Sequence, residues 1–118
     1  MTNLVVCLGT GKGTWAHVTK IVEQENWEKI FFITTDYFSG KFKVEKKHEF
    51  IVVDEKKPMK LLCDDIGKAL KGKIADTEVA LNLVSGTGKE HMAILASLLK
   101  LGFGIRLVAF TGERVEEL

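Results

Sequence analysis

Glu78-Val79-Ala80-Leu81-Asn82-Leu83-Val84-Ser85-Gly86-Thr87-Gly88-Lys89 passes from an apolar run into a glycine-rich turn. Beyond the turn the period changes: Met92, Leu95, Ala96, Leu98 and Leu99 recur at helical spacing until Gly102. The run at 78–84 suits a strand buried on both faces, as in a parallel sheet. The glycines then mark a strand-to-helix junction. The chain opens in the same way. Leu4 to Leu8 is continuously apolar, Gly9-Thr10-Gly11-Lys12 repeats the residue types of 86–89, and Trp15, Val18, Ile21 and Val22 keep helical spacing. Thr14 is placed to cap that first helix.

Between these two junctions lie further strands. Residues 29–35 are branched and aromatic, as strands prefer, and Asp36 ends them. A short apolar run at 50–53 ends at Asp54. Pro58 stands where a first helical turn tolerates proline, Met59, Leu62, Ile66, Ala69 and Leu70 form one stripe, and Gly72 stops it. A fifth strand is expected at 105–110. Strands alternating with helices predict an α/β fold: a Rossmann-like parallel sheet of about five strands, order 3-2-1-4-5, with helices on both faces and right-handed crossovers. The 118 residues make one domain, 1–118. Two pieces stay open. Residues 37–49 are either a short crossover helix, weakened by Gly40, or a β-hairpin excursion in which Phe42 and Val44 alternate with lysines. The acidic tail, 113–118, is either a last helical turn or frayed.

Composition removes several function classes. Charged residues are 28% of the chain and the formal net charge is +1, so nothing pulls it generally toward DNA or a membrane, and anion binding must be local. The lysine-rich stretch 41–60 reads as a solvated face or as an anion-steering rim. No apolar run approaches the roughly 18 residues of a membrane span. The start lacks a basic segment before its short apolar run, so no signal peptide is expected and the location expected is cytoplasmic. Cys7 and Cys63 are expected to be reduced packing residues, with no zinc spacing, no metal and no cofactor.

The two glycine loops carry the chemistry. A helix start leaves backbone N–H groups unpaired and adds partial positive charge. Glycine admits close approach of an anion, hydroxyls add donors and lysine adds a full charge. In an open α/β sheet, ligands lie beyond the carboxyl ends of the strands where strand order reverses. In the order 3-2-1-4-5 that point lies between strands 1 and 4, so both loops should face one ligand. The expected ligand-binding set is Gly9, Thr10, Gly11, Lys12, Thr14, Thr35, Asp36, Ser85, Gly86, Thr87, Gly88 and Lys89. Two familiar motifs fail. A P-loop needs Ser or Thr after Gly-Lys, but Gly13 follows Lys12 and Glu90 follows Lys89. The dinucleotide fingerprint needs a third glycine where Thr14 stands, although Asp36 would suit a ribose-binding acid. An unrelated nucleotide- or NAD-binding domain stays an alternative. His17 and His91 read as acid–base groups or as surface or interface residues, and His48 as solvated. Trp15 is either a stacking platform or a packing residue.

The run Val79 to Ala93, with asparagine in an apolar strand, a glycine-threonine loop with lysine, and Met92-Ala93 opening a helix, resembles the signature of the CARF domain, the CRISPR-associated Rossmann fold. The family pattern often runs Gly-Gly-Thr-Lys where this chain has Gly86-Thr87-Gly88-Lys89. The resemblance implies a homodimer that binds cyclic oligoadenylate, cyclic tetra-adenylate in the first instance, across its two-fold axis in type III CRISPR signalling. The same resemblance implies a stand-alone sensor that signals to a separate effector protein, or a ring nuclease. A ring nuclease would open its own ligand without metal, by attack of a ribose 2′-hydroxyl on the adjacent phosphate. Lys89 matches the family lysine and would be the catalytic stabiliser. Thr10, Lys12 and Thr14 match the loop that would hold the phosphate.

Overall fold

The computed structural model describes residues 2–10 and 13–118. Five strands, β1 (Leu4–Leu8), β2 (Ile30–Thr34), β3 (His48–Val52), β4 (Glu78–Asn82) and β5 (Gly104–Phe110), run parallel in one sheet. A sixth, β6 (Val115–Glu117), pairs antiparallel with β5, and the order is β3-β2-β1-β4-β5-β6. This is the expected α/β order with one strand added at the edge. The helices are α1 (Gly13–Gln24), α2 (Asp36–Ser39), α3 (Met59–Leu70) and α4 (Gly88–Lys100).

Every residue of β1 and β2 is buried, which is why both read as unbroken apolar runs. Side chains alternate across the sheet. Leu4, Val6, Leu8, Ile30 and Phe32 meet Val18, Ile21 and Val22 of α1 on one face. Val5, Cys7, Phe31, Ile33 and Leu81 meet Leu62, Ile66 and Leu70 of α3 and Ile94 and Leu98 of α4 on the other. Each such side chain contributes about 1.5–3 kcal/mol by leaving water. Both cysteines are buried and free. No helix among the described residues is long and apolar enough to cross a membrane.

The two open segments resolve differently from either expectation. Residues 37–49 form neither a full crossover helix nor a hairpin. One turn of helix, α2, is followed by non-strand chain, and β3 starts at His48. Phe42 and Val44 pack on the α1 face, where Phe42 meets Phe32 and Trp15. Their alternation with lysines therefore records burial without strand pairing. The tail is also corrected, being neither helical nor frayed. Gly112 takes φ +101°, Thr111 N–H donates to the Arg114 carbonyl at 3.0 Å, and the chain returns along β5. Arg106 holds Glu117 across the pair at 2.7 Å, and Val115 packs on the α1 face.

Candidate functional site

The parallel register sets β1 beside β4, with Leu4 opposite Ala80 and Val6 opposite Asn82, so the two glycine loops leave the sheet side by side. They touch. A Cβ on Gly9 would lie 2.9 Å from the Gly86 Cα. Gly9 N–H donates to the Ser85 hydroxyl at 3.0 Å, and the Trp15 indole N–H donates to the Gly9 carbonyl at 3.0 Å. Gly9 is therefore clamped from both sides. Ser85 is fully buried and its hydroxyl serves this clamp. Trp15 is a packing residue that meets Phe38 and Phe42 edge-on.

The second loop builds its own helix cap. Thr87 is the N-cap of α4: its hydroxyl accepts from Glu90 N–H at 3.3 Å, and its N–H donates to Glu90 Oε1 at 2.8 Å. This is a reciprocal capping box. The Glu90 carboxylate, only 6% exposed, thus sits against the inner side of both glycine loops. It answers part of the partial positive charge of the α4 start. Sequence reasoning missed Glu90, although Thr-x-x-Glu at 87–90 is a readable capping signature. Gly88 lies on the exposed first turn. Lys89, next to it, reaches across the carboxyl edge of the sheet and donates to the Glu55 carbonyl at 2.8 Å.

On the first loop, Thr10 is exposed and Thr14 lies inside the first turn of α1, which starts at Gly13. Gly11 and Lys12 lie outside the described residues. Thr35 is the N-cap of α2, its carbonyl accepting from the N–H groups of Phe38 and Ser39, and Asp36 is exposed beside it. Thr35 and Asp36 line a cleft of about 680 Å³ at the ends of β2 and β3, one strand away from the glycine contact.

The histidines are engaged. His91 Nε2 donates to the Ser85 carbonyl at 2.7 Å, and His48 Nδ1 donates to the Lys46 carbonyl at 2.7 Å. His17 Nε2 accepts from Phe110 N–H at 3.3 Å and faces the Asn82 side-chain amide at 3.3 Å. Asn82 in turn donates to the Val108 carbonyl at 2.8 Å and accepts from Val84 N–H at 3.2 Å. The asparagine inside the β4 apolar run thus ties α1, β4 and β5 together. Burial lowers the His17 pKa from its ordinary value. The unfolded chain then takes up a proton on His17 before the folded chain does. Stability is full above about 6.5, the ordinary histidine value, and falls as pH drops below it toward the lowered folded value. Urea denaturation at pH 7 and pH 5 should show this loss, and His17→Gln should flatten it; an unchanged pH slope in the variant would refute the assignment. Burial, then the neighbouring Glu90, raises the Cys7 thiol far above its ordinary range, so Cys7 is no nucleophile.

No group of three or more His, Cys, Asp or Glu among the described residues is placed to hold a metal ion. Comparison with protein families, with curated proteins and with solved structures finds no match for this chain.

Proposed function

We propose that this chain binds a phosphate-bearing nucleotide where the β1–α1 and β4–α4 loops meet, and that the ligand is a cyclic oligoadenylate, in the first instance cyclic tetra-adenylate, held across a homodimer. The observation that carries the reading is the contact between Gly9 and Gly86. It puts two helix starts, α1 and α4, at one point of strand reversal, where an open α/β sheet takes its ligand. The exposed Thr10 and the outer side of the α4 cap at Thr87 border that point, and Lys89 stands on the first turn of α4 beside it, with its ammonium on the Glu55 carbonyl. A two-fold assembly doubles these groups around a symmetric ring. Apolar surface for a second copy is available on the outer side of α4, where Met92 and Leu99 are exposed, and at Leu107 on β5.

Calorimetry against cyclic tetra- and hexa-adenylate tests the reading. One ring per two chains is expected, and Lys89→Ala, which removes one charged hydrogen bond from each subunit, should weaken binding about a hundredfold or more. Absence of heat with both rings would overturn it, and stabilisation by NAD in a thermal-shift panel would favour a dinucleotide site instead. Chromatography of the ring after incubation without metal separates a module that holds the ligand from a ring nuclease that opens it. In the second case Lys89 would turn from the Glu55 carbonyl to stabilise charge on the phosphate.

A further inference from the structure

The cleft at the ends of β2 and β3 is a separate space from the glycine contact, yet Lys89 joins them. From the first turn of α4 its ammonium reaches the carbonyl of Glu55, which is part of the cleft wall. The cleft has two unusual surfaces for its rim. Tyr37 is 69% exposed and Val52 is 49% exposed, and both line it. The Lys41 ammonium lies 4.4 Å from the Tyr37 ring centroid and Phe38 meets that ring edge-on.

The charge around the cleft favours neither a phosphate nor a bare metal. Four carboxylates stand against three lysines in the lining. Lys57 and Asp65 neutralise each other at 2.8 Å, and Asp54 accepts from Lys56 N–H at 3.0 Å. With Lys41 over Tyr37 and the Lys89 ammonium on the Glu55 carbonyl, positive and negative charges are nearly matched, so the cleft holds no concentrated positive charge for a phosphate. A bare metal would not find three grouped ligands among the described residues. What fits is an uncharged, planar, partly apolar group with both hydrogen-bond donors and acceptors on its edge. Asp36 is the acceptor at the end of β2, in the place where an acidic side chain meets ribose hydroxyls in sheets of this order. Lys68 is a donor on the α3 side.

We infer that this cleft takes the nucleoside part, a purine base with its ribose, of the ligand whose phosphate lies at the glycine loops. Tyr37 and Val52 supply the surface against the base, and Asp36 meets the ribose. Lys89 marks the passage from phosphate to sugar. The inference rests on the loops being the phosphate site, and it assigns Tyr37, which nothing in the glycine motifs points to, as a residue that sets ligand class.

Tyr37 is exposed, so Tyr37→Ala should fold, as its thermal midpoint will show. Titration of cyclic tetra-adenylate into wild type, Tyr37→Ala and Tyr37→Trp is expected to give roughly thirtyfold or more weaker binding for alanine, from one base stack lost in each subunit, and near-normal binding for tryptophan. Ring binding that is equally tight in wild type, Tyr37→Ala and Asp36→Ala would overturn the cleft assignment while leaving the ring reading intact. If wild type ignores the ring, the ring reading fails and adenosine alone decides the cleft. Amide shifts on adenosine addition at Asp36, Tyr37 and Val52 support it, and shifts absent there overturn it.

Discussion

Gly86→Ala is expected to destabilise the chain by about 2–5 kcal/mol, from a left-handed backbone penalty and an overpacking penalty together. Gly86 has φ +102°, which only glycine adopts at no steric cost. A Cβ there would stand 2.5 Å from Cys7 Sγ and 2.9 Å from Glu90 Oε1. Cys7 is a buried residue of the central strand, so the contact cannot be relieved by swinging it into solvent. Against a typical domain stability of about 5–15 kcal/mol this is a large share. Gly88, two residues on in the same motif, should behave in the opposite way. Nothing lies within 4 Å of its Cβ position, and it opens a helix, so Gly88→Ala should leave the chain unchanged or stabilise it by about 0.4–1 kcal/mol. Urea midpoints of the two variants check the contrast. Equal stability of Gly86→Ala and wild type would show that the two loops are not packed as described.

Asn82→Ala carries the second largest expected effect, about 2–3 kcal/mol, chiefly because the buried Val108 carbonyl left without its partner costs about 1–3 kcal/mol. Removing the amide takes the partner from the Val108 carbonyl and from Val84 N–H, and opens space between α1 and β5. His17 Nε2 would also lose the amide that faces it. The variant should therefore show two changes: a lower urea midpoint, and a His17 imidazole, followed by NMR titration, that returns toward its ordinary pKa as water enters. A loss below about 0.5 kcal/mol, the range of an uninvolved surface change, would sink this account.

The sheet was legible because its central strands are buried on both faces and therefore continuously apolar. The alternation with helical stripes then constrains strand order. The edges were not legible. Val115-Glu116-Glu117 is too short and too acidic to announce a strand; it becomes one because the turn at Gly112 delivers it to β5 and Arg106 awaits Glu117. Phe42 and Val44 alternate like a strand, but the edge of β2 they would need is occupied by β3. At the site, the sequence places Ser85 correctly between strand and helix yet cannot say where its hydroxyl points. That depends on Gly9, 76 residues away, whose N–H it satisfies. Lys89 is similar: its contact with Glu55 is made across the sheet edge and leaves no local pattern. Tyr37 was hidden within a segment whose conformation was itself undecided.

The clamp between Gly9 and Ser85 also bears on how the chain reaches its native state. The two loops it joins are the first and last junctions to precede a long helix, so the site is a contact of high sequence separation. Such contacts are slow to form, because the entropy of closing the intervening loop is lost before the contact rewards it. The β1–β2 and β2–β3 pairs join nearer segments, but β1 stays half-covered until β4 arrives on its other side. A chain interrupted before residue 85 would therefore have the first glycine loop without its clamp. A ligand that needs both loops recognises only finished molecules, and its presence during refolding should slow unfolding while leaving the rate of folding largely untouched.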